Sequence, residues 1–241
     1  MKNRGILTGC DSRQEWLLPW WWRHYQATNT LPVTLFDFGL TTSARSWCER
    51  RMEVGSFPPP YSLFKPKEAL DPALPWLRRV PGYVWSMRPI WFTKAFCLEQ
   101  APYTHNLWLD IDCEVKADLA PLFSNNLRHR SFGLTRDAAR YEQAFHQTGA
   151  LRPRVVGYQA GVLLFHCRSS LVNAWIRRCY HACNREFSEQ SALSHLLHQT
   201  AHPFALLPKE ANWLFPDTAP STALVVHHSG AFAKRRLIET F

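Results

Sequence analysis

The chain has 241 residues, of which 46% are hydrophobic and 20% charged, with a formal net charge of +9. That length permits one sizeable core, and those proportions exclude an intrinsically disordered chain. No run approaches the roughly 18 apolar residues of a membrane span, and the basic N-terminus precedes too short an apolar stretch for a signal peptide, so a soluble, cytoplasmic chain with a single domain over 1–241 is expected.

In chain order, Gly5-Ile6-Leu7-Thr8-Gly9 reads as a first strand running into a loop that carries Asp11. Ser12 and Glu15 have capping-box spacing and predict a helix start, after which Trp16, Leu17, Trp20, Trp21 and Tyr25 recur at helical spacing. Pro19 either kinks that helix or marks its start. Core packing accounts for at least one of Trp20, Trp21 and Trp22. Residues 32–38 predict a second strand, and strand, helix, strand in quick succession opens a parallel α/β sheet. A helix is expected around 41–52. Residues 55–89 are Pro-rich but threaded with aromatics, which predicts an ordered excursion over the sheet. Residues 90–101 read as a helix.

The stretch that follows organises the rest. Leu107-Trp108-Leu109-Asp110-Ile111-Asp112-Cys113 is an apolar run ending in two aspartates. It predicts a buried strand that delivers carboxylates into the crevice where open α/β sheets bind ligands. In an extended chain Asp110 and Asp112 point the same way while Ile111 points back. Two hard oxygen donors suit Mg²⁺ or Mn²⁺, and such a cation could hold a diphosphate. A bare D-x-D is equally a strand end followed by polar loop residues.

Beyond it, 132–135 predicts a short strand and 136–148 a polar helix or loop. Residues 155–165 predict two strand pieces joined by a tight turn at Gly161. Helices are expected over 169–183 and 187–199, and strands over 204–208 and 224–228, the last running into Ser229-Gly230. Seven cysteines form no C-x-x-C pair and give no disulfide framework. Cys179, His181 and Cys183 are close in sequence but lack the usual zinc spacing, so core positions on a helix are expected for the two cysteines. The basic charge is scattered and accompanied by no nucleic-acid motif, so no nucleic-acid partner is expected. Eleven tryptophans are enough to fill core positions and also to line a carbohydrate-binding or membrane-facing surface, which leaves room for peripheral membrane contact.

An early strand-loop, a D-x-D strand end, a Q-A-G-V segment, an E-Q helix start and a late H-H-S-G turn occur in that order. Together they resemble the family 8 glycosyltransferases, the glycogenin-like and galactosyltransferase-like enzymes, over residues 6–234. The resemblance implies an α/β chain with the GT-A fold, a mainly parallel Rossmann-like nucleotide-binding sheet flanked by helices. Phe92-Thr93-Lys94 resembles the segment preceding the family's D-x-D strand, and implies that Lys94 contacts the nucleotide-sugar. Thr8 and Asp11 are then expected near the uracil and ribose. Tyr158-Gln159-Ala160-Gly161-Val162 resembles a turn that touches the donor sugar, with Gln159 in place of the family's asparagine. Glu189-Gln190 resembles an aspartate-glutamine pair beside the reacting sugar carbon, with a longer acid. Leu206-Leu207-Pro208 with Asn212 resembles another donor-binding segment. His227-His228-Ser229-Gly230 resembles the motif that supplies a third metal ligand, His227 beside Asp110 and Asp112, and a glycine, Gly230, against the diphosphate. The family's lysine three places after that glycine would fall on Ala233, whereas here Lys234 comes one later.

What this implies is a hexosyltransferase using Mn²⁺ or Mg²⁺. It would move a sugar from a UDP-sugar to a glycan, glycolipid or protein acceptor with retention of configuration. Gln190, Glu189 and Gln159 would serve the reacting centre. Thr8, Asp11, Lys94, Asp110, Ile111, Asp112, Ala160, Gly161, Asn212, Gly230 and Lys234 would bind the donor. Two other classes remain open. An aspartate-nucleophile phosphatase also uses D-x-D at a strand end, although Val115 stands one place too late for it and the motif lies mid-chain. A non-catalytic domain could hold glycans or nucleic acid through its Trp and Arg surface.

Overall fold

A computed structural model describes residues 2–80, 82–125 and 131–239; Pro81 of the Pro-rich segment lies outside them. The apolar runs pair as the sequence suggests. Strand β1 (Lys2–Cys10) lies parallel to β2 (Val33–Asp37), with helix α1 (Leu18–Thr28) between them in the chain. Pro19 sits in the first turn of α1, where a missing N–H breaks no helix bond, so it marks the start of the helix. Ser12 does not cap it. The Glu15 carboxylate instead accepts from the backbone N–H and hydroxyl of Thr41, both at 2.9 Å, tying the first loop to helix α2 (Thr42–Glu49). Trp20 and Trp21 are buried and Trp22 is half-buried.

After the edge strand β3 (Glu53–Ser56) the Pro-rich excursion is ordered by two short 3-10 turns and by a small core of its own, Leu70, Trp76 and Leu77. Helix α3 (Val84–Cys97) begins inside it, earlier than expected, and carries Pro89 within. Prolines read as breakers in sequence, yet this helix is held by burial on several sides: Val84, Pro89, Phe92, Ala95 and Phe96 are all buried.

Next come β4 (Tyr103–Leu109), β5 (Cys113–Val115), α4 (Ala120–Asn125), β6 (Phe132–Arg136), α5 (Ala139–Thr148) and β7 (Tyr158–His166). They are followed by α6 (Ser170–Ala182), α7 (Glu189–Gln199), β8 (Ala205–Leu206), β9 (Trp213–Leu214), β10 (Val225–His227) and α8 (Gly230–Ile238). Among the described residues seven strands form the main sheet in the order β3-β2-β1-β4-β7-β6-β8, and β5-β10-β9 form a smaller one. The main sheet is parallel from β3 to β4; β7 then runs antiparallel to both its neighbours, and β6 and β8 are again parallel.

The expected tight turn at Gly161 is absent. β7 runs unbroken through that residue, with Val162 paired to Leu109 on one side and Tyr158 to Arg136 on the other. Successive residues alternate between two cores. Leu7, Trp108, Leu163 and Phe165 pack on one face with α3, α6 and α7, while Ile6, Leu107, Val162 and Leu164 pack on the other with α1. Six of the seven cysteines are buried thiols, Cys179 and Cys183 in the α6 region among them, and Cys167 is half-buried. Among the described residues no helix is long and apolar enough to cross a membrane.

Candidate active site

Where β1 and β4 end and β7 begins, the main sheet reverses direction, and a cavity of about 560 Å³ opens there. Asp110, Ile111, Asp112, Lys94, Glu189, Gln190, His227, Gly230, Lys234 and Asp11 all line it. The two aspartates converge by a different route from the one expected. β4 stops at Leu109, and Cys113 N–H closes a turn onto Asp110 C=O at 3.0 Å, so a turn and not strand alternation brings the carboxylates together.

Each carboxylate is held by a lysine. Lys94 Nζ lies 2.9 Å from Asp110, 3.1 Å from Glu189 and 3.2 Å from the Ala160 carbonyl. Burial works to lower the Lys94 pKa, but Asp110 and Glu189 outweigh it and hold the ammonium well above its ordinary value. Burial pushes Glu189 up, opposed by Lys94. Asp110 also accepts from Trp108 Nε1 at 2.7 Å. Asp112 meets Lys234 Nζ at 2.9 Å and His227 Nε2 at 3.2 Å. Burial alone would raise the Asp112 pKa, yet Lys234 and His227 hold it far below the carboxylate range. Lys234 therefore reaches the site although it stands one place later than the family pattern; α8 starts at Gly230 and turns Ala233 inward to the core instead. Gly230 has φ +88°, a backbone state that favours glycine.

His227 stands directly over Gly161. A Cβ added there would lie 2.2 Å from the ring Cε1, so the glycine serves a close approach within a strand and not a turn. His227 Nε2 is also 3.9 Å from Asp110, and its buried Nδ1 has no hydrogen-bond partner among the described residues. Asp112, Cys113 and His227 bring three ligand-type atoms within 4.8 Å of one another. Two carboxylates and an imidazole suit a divalent cation, and Cys113 is a neighbour that the sequence reading passed over.

A second omission is Asp137. Its carboxylate accepts from the side-chain amides of both Gln159 and Gln190, the latter at 3.2 Å, while Gln190 Oε1 accepts from Ala160 N–H at 3.2 Å. Burial raises the Asp137 pKa to about 6, against the hydrogen bond from Gln159. The strand 132–136 runs out into this aspartate, but a lone aspartate after a strand gives no signal until its partners are known. Gln159 itself does not line the cavity, being spent on Asp137. Thr8 and Asn212 are also buried away from it. Asn212 donates to Thr135 at 3.3 Å, and the Thr8 hydroxyl has no hydrogen-bond partner among the described residues. Asp11 lines the cavity rim with Gln14, its pKa raised by burial.

No protein-family model matches the chain, and no curated protein sequence does. Solved structures do. A galactosyltransferase, LgtC, in complex with donor and acceptor sugar analogs is similar at 16% identity and a TM-score of 0.60, over 94% of this chain and 87% of that one. The apo form of mouse xyloside xylosyltransferase 1 is similar at 14% identity and a TM-score of 0.57, over 93% of this chain and 97% of that one. The glycosyltransferase GlyE of Streptococcus pneumoniae TIGR4 is similar at 15% identity and a TM-score of 0.60, over 95% of this chain and 55% of that one. With the mixed sheet, its reversal at β7 and the cavity at that reversal, these likenesses establish that the chain has the GT-A glycosyltransferase fold.

Proposed function

We propose that this chain is a metal-dependent hexosyltransferase that moves a sugar from a UDP-sugar to a hydroxyl of a glycan, glycolipid or protein acceptor, with retention of configuration. The observation that carries the proposal is the convergence of Asp110, Asp112 and His227 in the fold's crevice, each carboxylate flanked by a lysine, Lys94 buried and Lys234 half-buried. Mn²⁺ or Mg²⁺ would be held by those three side chains and would supply Lewis-acid stabilisation of the departing diphosphate.

The rest falls to the chain's own groups. Lys234 and the Gly230 backbone at the start of α8 face the place a diphosphate would take, and Lys234 adds positive charge where negative charge develops. Lys94 holds Asp110 and Glu189 in fixed positions, so that Glu189 presents its oxygens to donor sugar hydroxyls. Gln190, anchored by Asp137 and Ala160, keeps its amide near the anomeric carbon. Gln159 acts behind it as a positioning residue through Asp137. Asp11 and Gln14 lie at the end expected for the nucleoside. An aspartate-nucleophile phosphatase would need a carboxylate free for in-line attack, whereas both carboxylates here are clamped by lysines. In this reading the enzyme works in the cytoplasm, and any membrane contact is peripheral.

The test is calorimetric titration of UDP with and without Mn²⁺. The wild type should bind UDP far more tightly with the metal, and Asp112→Ala should lose that difference. Absence of UDP binding under every metal condition would sink the proposal.

A further inference from the structure

The cavity continues well past the polar centre, and its extension has a chemistry of its own. Val84, Met87, Trp91 and Lys94 all line it and recur three or four residues apart, so one face of α3 forms its floor. Lys94 marks the carboxylate end. At a rise of 1.5 Å per residue, Val84 lies about 15 Å further out along the helix, more than one sugar ring away. Phe145 from α5 and Phe187 from the loop before α7 line the same cavity; their rings lie 6.2 Å apart, and Phe187 is 5.9 Å from Trp91.

This outer stretch has few hydrogen-bonding side chains. Thr148, the indole N–H of Trp91, the hydroxyl of the exposed Tyr83 and the exposed guanidinium of Arg79, which already donates to the Gln147 carbonyl, are the polar side-chain groups on it among the described lining residues before Ser188 and Glu189 are reached, and the Met87 sulfur already accepts from Arg13 at 3.2 Å. A wholly polar oligosaccharide would lose water there and gain too few partners for its hydroxyls. An apolar chain or ring would lose only water contact, which is favourable.

We infer that the acceptor is a glycoside with an apolar aglycone, its sugar hydroxyl directed to the polar centre and its aglycone lying along Val84, Met87, Trp91, Phe145 and Phe187. The inference rests on the glycosyltransferase reading and narrows its acceptor class.

The probes are methyl and octyl β-D-glucopyranoside and β-D-galactopyranoside, the octyl members kept below their micelle concentration. Tryptophan fluorescence is followed with UDP and Mn²⁺ present, after UDP binding by the wild type has been established. For at least one sugar the octyl glycoside should half-saturate the signal at a concentration at least about tenfold below its methyl partner, as burial of a few methylenes predicts. Met87→Ser and Phe145→Ser, each checked for native circular dichroism and melting, should bring the two concentrations close together. A protein that binds UDP but shows no octyl preference, or a preference that survives both substitutions, overturns the inference. A protein that binds no UDP fails at the earlier step and overturns the function on which it depends.

Discussion

At residue 161 the chain has room for a hydrogen and nothing more. An alanine Cβ would stand 2.2 Å from Cε1 and 2.5 Å from Nδ1 of His227, and neither a strand paired on both sides nor a buried ring can yield easily. Gly161→Ala should therefore cost about 1–3 kcal/mol of stability by overpacking. It should also swing His227 off Asp112 and weaken Mn²⁺-dependent UDP binding at least tenfold, read by denaturant unfolding and calorimetry on the same protein. Asp137 gives a pH signature. Its carboxyl is raised to about 6, above its value of roughly 3.9 in an unfolded chain. Between those values the native state keeps a proton that the unfolded state has released, so stability from this group falls as pH rises through that window. The contribution is up to about 3 kcal/mol at roughly 1.4 kcal/mol per unit. Asp137→Asn should flatten that part of the stability profile between pH 4 and 7 in urea titrations, with the difference from wild type changing in that direction only. Asp110, Asp112, Lys94 and His227 were legible because each sits in a spaced motif beside an apolar strand or helix. Asp137 and Cys113 were not, because a lone aspartate after a strand and a cysteine in a core segment are ordinary residues until their neighbours are known.

At the scale of elements, Arg88 shows how the Pro-rich excursion is fastened. This buried side chain of α3 donates to the carbonyls of Cys183, Glu186 and Phe187, the last two at 2.8 and 3.1 Å, and its guanidinium lies 4.7 Å from the Trp76 ring centroid. Burial lowers its pKa to about 10. Arg88→Met would keep much of the packing but leave three buried carbonyls without their donor. A loss of about 3 kcal/mol is expected, seen as a lower melting temperature and faster proteolysis between residues 57 and 80. The regular elements were read well wherever periodicity and punctuation agreed: β1, β2, α6 and α7 fall where the sequence places them, β4 starts and ends earlier than expected, and 139–148 resolves as helix the stretch left open as helix or loop. Of the two starts that the sequence left open for the first helix, Pro19 holds and the Ser12 capping signal does not, because proline is tolerated in a first turn. Two features were misread for physical reasons. Pro89 sits inside α3 because burial outweighs one lost hydrogen bond. Gly161 suggested a turn, because glycine in a strand looks the same in sequence whether the chain bends or another ring presses against it.

For the molecule as a whole, strand ends, helix starts and charged groups meet at the reversal at β7, between the two cores on either face of the sheet. The far end of that strand has a practical consequence. Cys10, Cys97, Cys113 and Cys179 are buried, and burial pushes each thiol well above its ordinary pKa; Cys48 is raised to about 11 and Cys183 is raised as well. Reaction with maleimide or a disulfide reagent needs an accessible thiolate. The native protein should accordingly titrate one thiol, Cys167, out of the seven that react once it is unfolded. Cys167 follows the last residue of β7, and at about 3.3 Å per residue it stands roughly 20 Å along the strand direction from Ala160. The fold thus comes with its own attachment point for a dye or spin label, remote enough to report on the crevice without entering it.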